Sequence, residues 1–318
     1  MFKFLLYEPI HEVGMKVLQE VGEVRLASGT DEETIISEIG DIDGVIIRAR
    51  GAMTRHIMEH APKLKVVGRH GVGVDNIDLE AATEHGIQVV NTPYAVTEGV
   101  AEHALGMMIA LSKKIFSADA ALRRGNFAIR YEIRGRELRG RTLGIIGFGR
   151  IGQRLAEICH KAFEMAILYA DVRPALEKEK ELNARRVPME ELLRTAEYIS
   201  VHVPLLPETR HLIGEKEFSL MRPDALFFNL SRGPVVDEKA LYQALVEGKI
   251  AGAGLDVFEQ EPTPADNPLF ALDNVVLTPH IATATEEALK GMALVAEDVV
   301  AVLQGKPPKY PVNHLSKS

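Results

Sequence analysis

Short apolar runs alternate with amphipathic stretches along the whole chain. Positions 2–7, 44–48 (GVIIR), 65–68 (KVVG) and 88–91 are runs of the kind that form strands buried on both faces. Between them, the apolar residues of 9–21 recur at helical spacing, and Thr54 opens a helix over 54–60. A third helix is predicted over 78–85 (DLEAATEH), stopped by Gly86. Continuous strands separated by helices predict a parallel sheet covered on both faces. The alternation breaks at a long helix predicted over 101–115 and an Arg-rich stretch, 123–141, of weak periodicity. It resumes at 142–146 (TLGII) and continues through 165–169, 198–203, 225–229, 251–255 and 275–277, which predicts a second α/β unit. A last helix is predicted over 286–303. Gly305 and Pro307-Pro308 follow it, so the tail is expected to form a closing strap.

The second unit opens on a glycine signature. The segment LGIIGFGRIGQ carries G-x-G-x-x-G as Gly147, Gly149 and Gly152, after a predicted strand and at the start of a helix predicted over 153–161. That context gives an otherwise common pattern its meaning. Gly147 permits a tight turn, Gly149 lets the backbone approach a pyrophosphate, and Gly152 lets helix and strand pack closely. Arg150 and Ile151 belong to the same loop, where a helix N-terminus offers free N–H groups and partial positive charge to phosphates. Asp171 lies 19 residues beyond Gly152, at the end of the next predicted strand. A carboxylate there accepts hydrogen bonds from ribose hydroxyls and repels a 2′-phosphate, which favours NAD over NADP. Arg173 pulls the other way, because a nearby Arg receives such a phosphate.

Three polar residues follow at the ends of later apolar runs: Arg232 in FNLSRGP, Glu261 in GLDVFEQEP and His280 in LTPHIATAT. Ligands of open parallel sheets sit beyond the carboxyl ends of the strands. Reduction of a 2-keto acid needs a fixed cation for the carboxylate and carbonyl, a role that suits the planar fork of Arg. It needs a proton donor near neutral pH, which suits His. A carboxylate beside that His fixes the ring and favours the imidazolium. Taken singly, Arg232 reads equally as a salt-bridge partner, His280 as a polar cap and Glu261 as a solvated charge.

Composition narrows the classes. A chain of 318 residues, 46% hydrophobic, suits one large domain or two ordinary ones. The net charge of −8 argues against a nucleic-acid partner. Cys159 is the single cysteine and reads as a small core residue. The N-terminus is charged too soon for a signal peptide, and no apolar run approaches the roughly 18 residues that span a bilayer. A soluble cytoplasmic protein without a metal is expected.

On these segments, together with GVGVDNID at 71–78, NTPY at 91–94, Glu102-His103 and HVPL at 202–205, the chain resembles the D-isomer-specific 2-hydroxyacid dehydrogenases. That family includes phosphoglycerate dehydrogenase and glyoxylate/hydroxypyruvate reductase. The resemblance implies two doubly wound parallel-sheet α/β domains with the active site in the cleft between them. A Rossmann NAD-binding domain, 99–286, is inserted into a flavodoxin-like substrate domain made of 1–98 and 287–318. It implies that Arg232, Glu261 and His280 are the catalytic set and that the backbone N–H groups of Val72 and Gly73 bind the substrate carboxylate. Asp256 then holds the nicotinamide carboxamide, Val203, Pro204 and Thr209 line the cofactor on its adenine side, and Thr97 lies near the nicotinamide. Glu102 and His103 are expected to form a buried capping pair, and Phe127 stands where relatives often carry Trp, a change expected to affect packing only. A homodimer through 101–115 and 123–141 is likewise implied.

Formate-oxidising relatives pair the His with Gln, so Glu261 argues against formate. Arg48-Ala-Arg50 resembles the Arg-x-Arg with which bacterial phosphoglycerate dehydrogenases meet the substrate phosphate, and reads equally as solvated strand-end charge. A C-terminal regulatory domain, which many phosphoglycerate dehydrogenases carry, is not expected from these 318 residues, and that does not count against the activity. D-3-Phosphoglycerate and hydroxypyruvate/glyoxylate stand ahead of lactate-type substrates. An NAD-sensing, corepressor-like binding protein and a redox-silent structural paralogue are the competing classes.

Overall fold

The computed structural model describes residues 1–315. The chain divides into two compact units, Met1–Val96 with Thr283–Ser318, and Thr97–Ala282. Positions 316–318, assigned by sequence to the substrate domain, lie outside the described residues.

The first unit begins β1 (Phe2–Leu6), α1 (Glu12–Gln19), β2 (Gly22–Leu26), α2 (Glu32–Ile39), β3 (Gly44–Ile47), α3 (Arg55–Glu59), β4 (Val66–Arg69), α4 (Leu79–Glu84) and β5 (Gln88–Val90). All five strands are parallel, in the order β2-β1-β3-β4-β5, the flavodoxin-like doubly wound arrangement. Asp31, Thr54 and Asp78 each accept a first-turn N–H and so fix where α2, α3 and α4 start. The pattern of apolar runs had not predicted β2 and α2. β2 is an edge strand with Glu23 and Arg25 on it and no fully buried residue, so it shows no continuous apolar run. α2 buries only Ile35 and Ile39.

The second unit opens with α5 (Thr97–Lys113) and α6 (Ile115–Arg123), separated by Lys114 in the left-handed region at φ 57°. The helix predicted over 101–115 therefore begins four residues earlier and stops two residues sooner. Next come β6 (Thr142–Ile146), α7 (Arg150–Phe163), β7 (Ala166–Ala170), α8 (Leu176–Leu182), β8 (Arg185–Arg186), α9 (Met189–Thr195), β9 (Tyr198–Val201) and α10 (Glu215–Leu220). β10 (Leu226–Asn229), α11 (Glu238–Val246), β11 (Gly252–Leu255) and β12 (Val275–Leu277) complete it. The seven strands are parallel, in the order β12-β11-β10-β9-β6-β7-β8. The order reverses between β6 and β9, the crevice where ligands of such sheets bind. β8 is two exposed arginines, invisible to a search for apolar runs. Cys159 is buried in α7, and burial pushes its thiol up to about 12, as a core residue requires.

The chain then returns to the first unit with α12 (Glu286–Ala293) and α13 (Val295–Leu303). The single helix predicted over 286–303 is thus two, divided at Leu294. Val295, Ala296 and Val299 cover one face of the five-stranded sheet with Phe4, Leu6, Ile46 and Val66. The opposite face is closed by Ile35, Ile39, Ile57 and Ala81. The tail does form a strap: Pro311 bridges Val90 antiparallel, so β5 is not left as an open edge.

The Arg-rich stretch 123–141 owes its weak periodicity to a short 3-10 turn, Phe127–Tyr131, and an irregular segment anchored by Arg136 and the buried Leu138. The Arg136 guanidinium donates to the Tyr198 hydroxyl at 3.1 Å and to the carbonyls of Asp224 and Glu197 at 2.6 and 3.1 Å. It also stacks on the Tyr198 ring, 4.5 Å from the centroid. Tyr198 is buried on β9 with the Ser112 hydroxyl as its other partner at 2.8 Å, so loss of Arg136 removes the ring's stacking cation and the part-buried donor to the Glu197 carbonyl. Arg136→Ala is expected to destabilise the second unit by about 2–4 kcal/mol. Arg139→Ala removes only an exposed pair with Glu164 and is expected to cost less than about 1 kcal/mol. Chemical denaturation of both variants checks the contrast; equal losses would contradict it.

Candidate active site

The glycine loop joins β6 to α7. Gly147 adopts φ +90°, and a Cβ there would meet the backbone of His202 at 2.8 Å. A Cβ on Gly152 would meet the Gly147 carbonyl at 2.5 Å. Gly149 faces open space and, as the N-cap of the 14-residue α7 that opens on Arg150, Ile151 and Gly152, has no side chain with which to cap it. Asp171 follows β7. Its carboxylate accepts the Phe148 N–H at 2.7 Å and the Arg173 N–H at 2.9 Å, tying the glycine loop to the strand end. Arg173 is exposed, and Arg186 donates to the Asp171 and Val172 carbonyls. Val203 and Pro204 follow β9 across the same crevice. Thr209 closes their loop, its hydroxyl donating to the Pro204 carbonyl at 2.6 Å and accepting from the Leu206 N–H. The Thr97 hydroxyl, at the start of α5, is buried with no hydrogen-bond partner. A helix N-terminus with no side-chain cap, open approach at Gly149 and a carboxylate at the next strand end fit a dinucleotide.

Arg232, Glu261 and His280 follow β10, β11 and β12, so all three stand at carboxyl ends of neighbouring strands. The Glu261 carboxylate accepts from His280 Nδ1 at 2.8 Å and from the Phe258 N–H at 2.9 Å. Burial raises the Glu261 pKa, but these two hydrogen bonds and the charges of His280 and Arg232 outweigh it and hold the carboxyl below its usual range. The pair remains about 40% exposed, accessible to a reactant. His280 sits in the left-handed region at φ 54°, unusual outside glycine. Its N–H donates to the Asp256 carbonyl at 2.7 Å. On the Arg232 side, the Asn229 side chain accepts the Ser231 N–H and donates to the Arg232 carbonyl, shaping the turn. A Cβ on Gly233 would fall 1.7 Å from the Phe258 carbonyl oxygen, so only glycine lets that turn meet the 258–261 segment.

Asp256 is 1% exposed. Its Oδ1 accepts from the Thr278 hydroxyl at 2.6 Å and the Ile281 N–H at 2.8 Å, and its Oδ2 accepts the Ala282 N–H at 2.9 Å. The Thr278 hydroxyl spends its proton on Asp256, so the His103 Nε2–H, 3.0 Å away, donates to it. The sequence reading had missed Thr278, Asn229 and the Phe258 N–H. An Asn at a strand end, whose side chain caps the backbone two residues on, is a turn signal that points to Asn229. The expected buried Glu102–His103 capping pair is not found: Glu102 is exposed, and His103 lies in the second turn of α5. Phe127 is 65% exposed with the Arg130 guanidinium over its ring, so it packs into no core.

In the first unit, Arg48 follows β3 and donates to the Pro9 carbonyl, and the Arg50 N–H is accepted by Glu8. Val72 and Gly73 follow β4. His70, just before them, is buried, and its burial and the Arg48 charge push its pKa down to about 3, which keeps the ring neutral.

A model of the D-isomer specific 2-hydroxyacid dehydrogenase NAD-binding domain matches residues 105–282. The chain is 48% identical to D-3-phosphoglycerate dehydrogenase of Methanocaldococcus jannaschii over 98% of its own length and 60% of that protein's. It is 42% identical to glyoxylate reductase of Thermococcus litoralis, over 98% of this chain and 96% of the relative. Among solved structures, D-lactate dehydrogenase of Aquifex aeolicus, complexed with NAD and lactic acid, superposes with a TM-score of 0.86 at 32% identity. That match covers 95% of this chain and 96% of the other. The chain therefore belongs to the D-isomer specific 2-hydroxyacid dehydrogenase family.

Proposed function

We propose that this chain is an NAD-dependent dehydrogenase that interconverts a D-2-hydroxy acid and its 2-keto acid. The substrate we infer is D-3-phosphoglycerate or the hydroxypyruvate/glyoxylate class. The observation that carries the reading is the His280–Glu261 pair at 2.8 Å, with Arg232 close enough to depress the Glu261 pKa. Similarity to a phosphoglycerate dehydrogenase and to a glyoxylate reductase supports both substrate classes, and turnover over NAD sensing.

In the reducing direction, the Arg232 guanidinium grips the carboxylate and polarises the 2-keto carbonyl. NADH, when bound, supplies the hydride that carbon 2 receives. As the C–O π pair collects on oxygen, His280 delivers its Nε2 proton there, leaving a hydroxyl and a neutral imidazole. Glu261, an acceptor only, takes the Nδ1–H, fixes the ring and stabilises the imidazolium that protonation from solvent restores. The Asp256 network holds the backbone of His280 in its left-handed conformation, and Asp256 would be the acceptor nearest this loop for the carboxamide of a bound nicotinamide. Val72 and Gly73 offer N–H groups to the substrate carboxylate. Thr97 would lie near the nicotinamide, and Gly147, Gly149, Arg150, Ile151, Gly152, Val203, Pro204 and Thr209 would hold the rest of the cofactor. The domain roles follow: the first unit carries the substrate and the second NAD.

The chain is proposed to pair as a homodimer through α6 and the turn after it. Ile115, Phe116, Leu122, Phe127 and Tyr131 are all large, apolar and exposed there. No helix among the described residues is long and apolar enough to cross a membrane.

With hydroxypyruvate, glyoxylate and 3-phosphohydroxypyruvate as the panel, His280→Gln is expected to lower kcat/KM by roughly 10²–10⁴-fold. The NADH Kd should stay within about twofold. Wild-type protein that binds NADH and reduces nothing in the panel would overturn the enzyme reading. Asp171→Ser should cut the preference for NADH over NADPH by about tenfold or more, as the ribose acceptor goes and Arg173 stays; an unchanged ratio would place the preference elsewhere. Phe116→Glu with Phe127→Glu should shift the sedimenting species from dimer to monomer.

A further inference from the structure

The carboxyl end of β5 and the C-terminal strap meet the loop that carries Val72 and Gly73. The Asn91 side chain donates through Nδ2 to the Val72 carbonyl at 2.7 Å. The Thr92 N–H and hydroxyl both reach the Gly71 carbonyl, at 3.0 and 3.2 Å. A peptide unit is planar and trans, so its C=O and the following N–H point in opposite directions. Holding the carbonyls of Gly71 and Val72 therefore fixes the directions of the N–H groups of Val72 and Gly73. Among the described residues those two N–H groups have no acceptor.

Asn91 is itself held from the strap. Its N–H donates to the Tyr310 carbonyl at 3.3 Å, and the Val312 N–H donates to the Val89 carbonyl at 2.8 Å. Asp298, buried on α13, accepts the N–H groups of Lys309 and Tyr310, one on each carboxylate oxygen, at 2.8 and 2.9 Å. Asn313, also buried, accepts the Val89 N–H at 2.7 Å and donates to the Ile87 carbonyl and the Thr83 hydroxyl. The strap is thus fastened at both ends, and Asn91 lies between it and the loop.

We infer that Asn91 is a positioning residue for the substrate carboxylate and that the strap, Lys309–Asn313, holds it in place. The inference rests on the reading that the Val72 and Gly73 N–H groups bind that carboxylate. Asn91→Asp keeps the shape of the side chain and turns the donor facing the Val72 carbonyl into an acceptor. In the full chain it should raise the KM for glyoxylate and the inhibition constant of oxalate by about tenfold or more, which corresponds to about 1.4 kcal/mol. The NADH Kd should stay within twofold. Asn313→Ala, which loosens the tie between the strap and β5 without touching Asn91, should raise the same two constants by about threefold. If Asn91→Asp does not fold, Asn91→Ala, which brings no repelling charge, carries the same expectation.

Unchanged glyoxylate KM and oxalate inhibition in an active, folded Asn91 variant would overturn the relay. So would an NADH Kd that rises in step with them, because a general loosening of the fold has no reason to spare the cofactor. A wild-type protein that reduces no 2-keto acid and is not bound by oxalate would instead overturn the proposed function on which the relay rests.

Discussion

A buried carboxylate makes demands on everything around it, and in the second unit Asp256 makes them of the loop that carries His280. At 1% exposure an ionised Asp must be met by donors, and the donors within reach are the Thr278 hydroxyl and the N–H groups of Ile281 and Ala282. Meeting that demand turns the chain sharply after β12 and carries His280 into the left-handed region, a conformation that persists only where its surroundings impose it. His280 and its Glu261 partner are therefore placed by the solvation of a third group. His103 extends the network by donating to Thr278, which fixes that hydroxyl's proton on Asp256.

Three strand ends converge because the sheet is parallel. β10, β11 and β12 are adjacent and point the same way, so the segments following them are neighbours whatever their separation in sequence. Arg232 and Glu261 are brought together by the close approach at Gly233, where a turn lies on the backbone of Phe258. The Phe258 N–H then fixes one oxygen of Glu261 and leaves the other for His280. Electrostatics acts on a scaffold that backbone contacts have already set. The depressed Glu261 pKa is a consequence of that placement, and it keeps the carboxylate ionised beside the imidazole across the neutral range.

The first unit solves a related problem with neutral groups. Its loop after β4 is fixed through carbonyl oxygens by Asn91 and Thr92, and those residues are fixed by a strap from the far end of the chain. Asp298 here plays the part that Asp256 plays in the other unit, a buried carboxylate that accepts two backbone N–H groups and so dictates a local path. Both devices place a loop by satisfying a charge behind it.

Local chemistry was legible in the sequence. Continuous apolar runs marked the buried strands, Thr54 and Asp78 marked helix starts, and the glycine pattern marked the tight turn between β6 and α7, because each follows from rules that act over a few residues. Arg232, Glu261 and His280 could be singled out by type and by position at strand ends. The edge strand β2 and the two-residue β8 could not be read, since neither buries a continuous apolar run. The break at Leu294 and the exposure of Glu102 also escaped, because helical periodicity continues through both. Only the tertiary structure decided that Arg136 holds an irregular segment to Tyr198, that Thr278 stands between His103 and Asp256, and that Asn91 reaches Val72. Each of these is a hydrogen bond between groups that the fold brings together at long range, and its geometry is set by packing that no local pattern records.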